Sequence, residues 1–564
     1  MWQEAPELVL KNIFSYLEAS DLRAVFLTCR LWHRIATEDV IWKQLVQRLW
    51  KIKGSLPPGK ISWRNEYQRL THETPTHLSE TLLEHSDEVL DVSFSHDGKL
   101  FCTTSKDATV KVWELGYPTK LKRNAKMLLL QGWNMTQFSI FNKSDTYLCV
   151  CGVQFEGNVE MYFPSTSGRA AIFRLNDFKL IQTMKMEPPQ LFADWYDDTT
   201  VLGGYVVENQ QNILHIKAFK VEEKEPFDVH EPDCGQIVYS FETNHHHTMN
   251  LLVADLPSCQ HQSHDQSGDQ HKTLKSQDPE NQRNNNANSV TNCACCCDKH
   301  RKMMIFVCEQ HSAFAVHDAT DLHQRIHARN AKLQTNSKKL PSRAKFLKTA
   351  SSRITRNSVG TSDRSNQGQL GRSSRGTQNA IELPGASVLD KPTCRPLFDK
   401  YYISGVKLSP DQRELYFNYR IYHADELDDE GYPVIDPDIT IDKFNLVTKS
   451  HTKNLLRGHK ASSSYPAWYI CLDISQDYIV SGSEDGRAFL WDRNYLCFLG
   501  HLPHSENPEI VINGTAFCPT DSECVVTGGD DGVIHIWRSK RRLIELKRLQ
   551  DLVPMDTNCT SCFP

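Results

Sequence analysis

In three places the chain sets a tryptophan six residues after an aspartate and a hydroxyl residue four before it. The sets are Thr103, Asp107 and Trp113; Ser481, Asp485 and Trp491; and Thr527, Asp531 and Trp537. A histidine stands upstream of each, at His85, His459 and His504. Between them run alternating apolar segments such as "VLDVSFS", "LFCTTS" and "ATVKVW", separated by "HDG", "SKDA" and "SEDG". Period-two alternation broken by turn residues, repeating about every forty residues, predicts small antiparallel sheets arrayed as a β-propeller.

The chemistry of the four residues explains the fixed spacing. A buried imidazole must satisfy both ring nitrogens, because an unpaired buried polar group costs about 1–3 kcal/mol. The aspartate and the hydroxyl can supply the two partners, and the indole N–H can close the chain onto the hydroxyl. Such a quartet ties a loop to the sheet within one blade. WD-repeat proteins are similar in this respect. The resemblance implies structural tetrads of His85, Thr103, Asp107 and Trp113, of His459, Ser481, Asp485 and Trp491, and of His504, Thr527, Asp531 and Trp537. The rival reading of His85, Ser105 and Asp107 as a catalytic triad leaves the tryptophan spacing unexplained.

Three blades cannot close a ring, so the middle of the chain must supply degenerate ones. "TQFSIFNKSDTYLCVCGV" with "SGRAAIFRLNDFKLIQTM" fits a second blade, and "LFADWYDDTTVLGGY" with "NILHIKAFKV" a third. "QIVYSFETNHHHTMNLLVAD" with "KMMIFVCEQHSAFAVHDA" fits a fourth, and "YISGVKLSPDQRELYFNYR" with "ITIDKFNLVTKSH" a fifth. The expected fold is mainly β, a seven-bladed propeller over residues 81–257, 301–322 and 398–545, with 546–564 as a tail.

Residues 6–49 read instead as short helices. Val9, Leu10, Ile13, Phe14 and Leu17 follow helical spacing, and Ser20 or Asp21 can cap the next helix. A unit of about fifty residues is marginal alone and gains stability by docking on a partner. The order Pro6, Ile13-Phe14-Ser15-Tyr16-Leu17, Asp21-Leu22, Val25, Cys29-Arg30, Trp32 and Trp42 resembles an F-box. That resemblance implies binding of the Skp adaptor of cullin-RING ubiquitin ligases through Pro6, Leu10, Ile13, Leu17, Leu22, Val25, Cys29, Trp32 and Trp42. The F-box is assigned to residues 1–50 and a stiff helical linker, carrying "ISWRNEYQRL", to 51–80.

Composition locates what does not fold. Only 39% of the 564 residues are hydrophobic, and two stretches hold too little apolar surface to form a core. Residues 258–300 and a basic stretch at 323–397 are expected to be disordered insertions. Between Lys332 and Gly376 stand eleven Lys or Arg and one acid, Asp363, beside serines such as Ser358 and Ser373 whose phosphorylation would lower the local charge. The acidic segment 423–438 reads as a solvated hairpin. "CACCC" at 293–297 lacks the second, spaced pair that a tetrahedral zinc site needs. "HHH" at 245–247 and the Cys559/Cys562 pair are likewise unmatched, so no metal or other cofactor is expected. A net charge of −5 gives no argument for nucleic acid or a membrane surface. "MWQEAPELVLKNIF" is unlike a signal peptide, and no apolar run reaches the length of a membrane span. The expected setting is cytoplasmic, extending to the nucleus or centrosome.

An F-box joined to a WD propeller resembles the substrate receptors of Skp–cullin–F-box ligases. The resemblance is strongest in "SWRNEYQRL", "SFSHDGKLFCTTSKDATVKVW", "TQFSIFNKSD" and "SGSEDGRAFLWDR". It implies a non-catalytic subunit that docks the adaptor by the F-box and presents a protein substrate on the propeller for ubiquitination. For part of that group it also implies the damaged-DNA-binding adaptor of DCX-type cullin ligases and a role in centriole duplication. That second adaptor reads Trp-Asp-x-Arg, whereas here Arg493 directly follows Trp491-Asp492. The alternative is an interaction scaffold without ubiquitin transfer.

Overall fold

The computed structural model describes residues 5–155, 166–186, 192–207, 213–223, 235–242, 248–256, 301–308, 313–327, 401–427, 433–461 and 469–552. The insertions expected at 258–300 and 323–397, "HHH", "CACCC" and the Cys559/Cys562 pair fall outside these residues, except for 323–327. The chain divides into Met1–Thr320 with Asp390–Pro564, and Asp321–Leu389. Of the second unit, residues 321–327 are described: a short helix with an Asp321–Arg325 ion pair at 2.7 Å.

In the first unit seven antiparallel sheets form the blades of a propeller. The first blade is built from Val89–Phe94, Leu100–Ser105, Thr109–Glu114 and Lys120–Lys126. The second follows with Met135–Phe141, Tyr147–Phe155, Thr166–Arg174 and Lys179–Lys185. The third comprises Ala193–Asp197, Thr200–Val207, Ile213–Lys220 and Gln236–Glu242. The fourth has three described strands, Thr248–Leu256, Arg301–Cys308 and Ala313–Asp318. The fifth is Tyr401–Leu408, Glu414–Leu427, Asp438–Asn445 and Ser450–Lys460, with Pro433–Ile435 added beside its second strand. The sixth is Leu472–Ile474, Tyr478–Ser481, Arg487–Asp492 and Phe498–Pro503.

The seventh blade closes the ring. Ile512–Cys518, Asp521–Gly529 and Ile534–Arg538 take as their outer strand His77–Leu82, from before the first blade. The register pairs Leu78 with Trp537 and Leu82 with Ile534. Arg538 reaches Glu80 at 2.5 Å and the Gly116 carbonyl of the first blade at 2.6 Å. The strand predicted to end a helical linker is thus part of the last blade. Its mate lies more than 450 residues away in sequence, beyond any local pattern.

Apolar side chains fill the joints between blades. Val92 and Trp113 of the first pack on Val526 and Ile534 of the seventh, and Val110 and Val112 on Val150 and Phe173 of the second. Ile172 meets Trp195 of the third, whose Phe241 sits 5.1 Å from Phe306 of the fourth. Ile305 then packs with Phe417, Ile441 with Trp491, and Leu490 with Trp537. The innermost strands are also stapled by aspartates. Asp91, Asp194 and Asp473 accept the backbone N–H of Ser139, Val253 and Phe517 in the following blade, at 3.0, 2.7 and 2.7 Å. Burial pushes the Asp91 and Asp194 carboxyls up to about 6.

Two boundaries differ from the sequence expectation. "QIVYSFE" is the outer strand of the third blade rather than the opening of the fourth. Its alternation marks a strand without saying which sheet it joins. Residues Lys540–Leu552 form a helix that runs across the expected start of the tail at 546.

Ahead of the propeller lie α1 (Glu7–Phe14), α2 (Ala19–Phe26), α3 (Arg30–Ala36), α4 (Asp39–Trp50) and α5 (Trp63–Gln68). Helix α2 starts a little earlier than expected, with Glu18 and Asp21 forming a reciprocal capping box. A one-turn π-helical segment, Arg69–Glu73, carries the chain from α5 toward the closing strand.

Candidate functional site

The first tetrad is assembled as its chemistry requires. His85 Nδ1 lies 2.8 Å from Asp107 Oδ2, and its Nε2 lies 2.8 Å from Thr103 Oγ1. The Trp113 indole donates to the same hydroxyl at 2.9 Å. Burial drives the His85 imidazole toward its neutral form. A neutral ring donates from Nδ1 to the carboxylate and accepts the Thr103 hydroxyl at Nε2, so every atom of the chain is matched. Burial alone would raise the Asp107 carboxyl, but hydrogen bonds from His85 and Thr109 hold it well below the usual carboxylate range. Ser105 bonds the Asp87 carbonyl and the Asp107 N–H instead of His85, so no triad forms.

The last tetrad has the same members with the ring turned over. His504 Nδ1 meets Thr527 at 3.1 Å, Nε2 meets Asp531 at 3.2 Å, and Trp537 donates to Thr527 at 2.9 Å. His535 joins it, with one nitrogen on the His504 carbonyl and the other on Thr81 of the closing strand, both at 3.1 Å.

The middle quartet is not joined. His459 is fully buried between Phe489 and Trp491, yet neither ring nitrogen has a hydrogen-bond partner among the described residues. Ser481 donates to the Gly482 carbonyl, and Asp485 accepts from Ser483. The cause is register. His459 lies within strand Ser450–Lys460, opposite Ile439, rather than in a loop facing the next blade. Without partners, burial lowers the His459 pKa to about 3.

The contrast predicts unequal costs. Thr103→Val should destabilise the fold by about 2–4 kcal/mol, because it orphans both the His85 ring and the Trp113 N–H. Ser481→Ala should cost about 1 kcal/mol or less, because it severs no imidazole contact. Urea unfolding followed by tryptophan fluorescence would measure both, and equal losses would contradict the assignment.

The N-terminal helices offer a different kind of surface. Leu10, Leu22, Val25 and Trp42, expected to meet a partner, are instead buried in the helices' own core with Phe14, Ile35 and Leu45. The apolar stripe gave the helix but not which part of it faces inward. What α1 and its neighbours turn outward is Leu8, Val9, Ile13, Tyr16 and Leu27, with exposures of 79, 46, 40, 76 and 85%. Pro6 is also exposed, and Leu17, Cys29 and Trp32 are half-buried. The spacing of Leu8, Val9, Ile13 and Tyr16 was readable in the sequence, but only with the core already assigned. Val9 and Ile13 stand one turn apart on α1, and exposed apolar side chains of this size suit a binding face.

Helix α5 fixes those helices to the sixth blade. Trp63 stacks on Tyr495 at 6.0 Å, and its backbone N–H bonds Asp39 at the start of α4 at 2.7 Å. Arg69 lies over the Tyr478 ring and bonds Asp492 at 2.6 Å and Glu66 at 2.8 Å, all three charges being buried. Lys60 adds an ion pair with Asp477 at 2.9 Å. The two residues that could serve a second adaptor are thereby occupied: Asp492 by Arg69, and Arg493 by Glu414 and Tyr416.

Among the described residues no group of His, Cys, Asp and Glu could hold a metal ion, and no helix is long and apolar enough to cross a membrane.

Comparison with known proteins adds to this geometry. The F-box-like family model matches residues 2–48, and the WD domain, G-beta repeat, matches 77–114, 450–492 and 497–538. Along 95% of its length the chain is 28% identical to F-box/WD repeat-containing protein 5 of Rattus norvegicus and of Homo sapiens, covering 94% of each. A shorter stretch, 16% of the chain, is 27% identical to 12% of Denticleless protein homolog A of Xenopus laevis.

Proposed function

We propose, from an F-box-like and WD-repeat chain similar from end to end to F-box/WD repeat-containing protein 5, a substrate receptor of a Skp–cullin–F-box ubiquitin ligase. The single observation that carries this is the exposure of apolar Leu8, Val9, Ile13, Tyr16 and Leu27 on helices whose core is joined to the propeller through α5. These side chains dock the Skp adaptor, the propeller holds a protein substrate, and the buried junction keeps the two at a fixed distance. Fixed geometry matters because a lysine must stay near a ubiquitin thioester carried by another subunit. The chain supplies no bond-making group of its own in this scheme. Its place of work is the cytoplasm, with the nucleus or centrosome as extensions.

The resemblance extends the proposal to the damaged-DNA-binding adaptor and to centriole duplication. Such an adaptor would meet Asp492 already bonded to Arg69, and Arg493 to Glu414 and Tyr416.

Reconstitution tests the receptor role. Proteins captured by proximity labelling under proteasome inhibition should acquire ubiquitin from adaptor, cullin, RING subunit and full chain, and not when residues 1–50 are deleted. Substrate levels indifferent to cullin inhibition would favour the scaffold instead.

A further inference from the structure

Met127–Gln131 forms a single helical turn between the outer strand of the first blade and the inner strand of the second. Both ends of the turn are pinned. Met127 and Trp133 are 0% and 1% exposed, and the Met127 N–H bonds the Ala108 carbonyl at 2.8 Å. Gly132 ends the turn at φ 69°, a left-handed conformation that glycine adopts without strain. Between these anchors Leu128, Leu129 and Leu130 are exposed by 56, 79 and 46%. A connection of this kind has no architectural need for three leucines in water, and its fixed ends hold them in place.

Leu129 and Leu130 form one wall of a groove of about 310 Å³, whose other lining includes Ala125, Phe173, Phe178 and Leu180. Phe173 and Phe178, stacked at 4.8 Å, belong to the second blade and its last turn. A cavity of this size takes one or two side chains and lies at the small end of sites for whole small molecules. The two strands beside it carry cations only, and the nearby acids are already paired, Asp177 with Arg174 and Glu114 with Lys122. The strand Lys120–Lys126 holds four cations and no acid, and the strand Lys179–Lys185 holds two lysines and no acid. Leu121, 40% exposed, extends the apolar surface along the first of these strands. The Arg123 Nε is buried with no hydrogen-bond partner among the described residues.

We propose that this groove, between the outer edges of the first and second blades, docks an acidic peptide segment with apolar anchor residues, carried by the protein substrate. The proposal rests on the receptor reading above and names where, and by what chemistry, the substrate is held. The leucines and the phenylalanine pair take the anchors, and the lysine-bearing strands complement the acids. The concave, aromatic lining suits a side chain entering it more than a flat bilayer surface.

The test uses the full chain bound to the Skp adaptor and two pools of short fluorescein-labelled peptides, read by anisotropy. One pool alternates glutamate with leucine or phenylalanine, and the other has lysine in place of glutamate. The acidic pool should bind and the basic pool should not, with affinity falling as salt is raised. The double variants Leu129→Asp with Leu130→Asp, and Lys122→Glu with Lys126→Glu, should each weaken binding by about tenfold or more. All four side chains lie at the surface, so thermal midpoints should match the wild type, and adaptor capture should be unchanged. Equal binding of both pools, or full binding by the leucine variant, overturns the proposal. So does binding of vesicles containing acidic lipid with none of peptide, or a dimer of the chain that the leucine variant dissolves. Peptide binding that persists in a chain unable to support ubiquitin transfer would sink the receptor reading and leave the groove standing.

Discussion

Exchange of Ile13 for aspartate should abolish capture of the Skp adaptor while the protein remains folded. Ile13 is 40% exposed on α1, between Val9 and Tyr16, and contributes little to the core beneath it. An aspartate there costs the free protein almost nothing, since its carboxylate stays in water. On docking, the same carboxylate would be buried against an apolar partner without a hydrogen bond. A penalty of about 3 kcal/mol or more corresponds to at least a hundredfold loss of affinity. Titration of labelled adaptor against wild type and I13D would read this directly, with thermal melts confirming the fold. Leu22→Ala is the informative contrast. Leu22 is fully buried, so its truncation should cost about 2–5 kcal/mol of stability, and any loss of binding should follow from unfolding. If I13D binds as tightly as wild type, the adaptor uses some other surface.

The second large effect is expected at the junction. Arg69→Ala should destabilise the protein by about 3–5 kcal/mol, because it strands the buried Asp492 carboxylate and leaves Glu66 only Lys60 at 3.8 Å. Burial already raises the Asp492 carboxyl, and Arg69 is the charge that opposes this. Without Arg69, Asp492 keeps only the N–H groups of Asn494 and Tyr495, at 2.9 and 2.7 Å. Arg69→Ala combined with Asp492→Asn should recover part of the loss, which a double-mutant cycle in urea would quantify. The single variant should also loosen the helices from the sixth blade. Faster amide exchange in α5 than in the blade interiors would report that separation.

Much of this was legible in the sequence, and the exceptions have physical causes. The first and last tetrads could be read because the hydroxyl residue and the tryptophan hold a fixed offset along two paired strands, with the aspartate in the turn between them. His459 matched the same spelling, but its register places it opposite Ile439, and its ring packs on Phe489 and Trp491 without a bond to Ser481 or Asp485. Helical spacing located α1, α2 and α4, yet it could not tell buried Leu10 from exposed Leu8, since both are leucines on one helix. The contact of Arg69 with Asp492 spans 423 residues and leaves no local trace. The inner-strand aspartates left a faint one: Asp91, Asp194 and Asp473 each interrupt an otherwise apolar strand, as "VLDV", "ADWY" and "CLDI".

The outer strand of the seventh blade sets a clock on biosynthesis. His77–Leu82 leaves the ribosome some 450 residues ahead of Ile534–Arg538, which it must pair with. Until then the nascent chain carries an open edge that can recruit neighbouring polypeptides, and a message truncated before Ile534 would leave it open permanently. The core of helices α1–α4 takes in Trp63 and Leu70 and packs on Tyr495, Cys497 and Leu499 of the sixth blade, all of which precede Ile534. A product terminated between Leu499 and Ile534 would therefore carry the complete helical core without a finished disc and, in the proposed role, turn a truncation into a competitor of the intact protein.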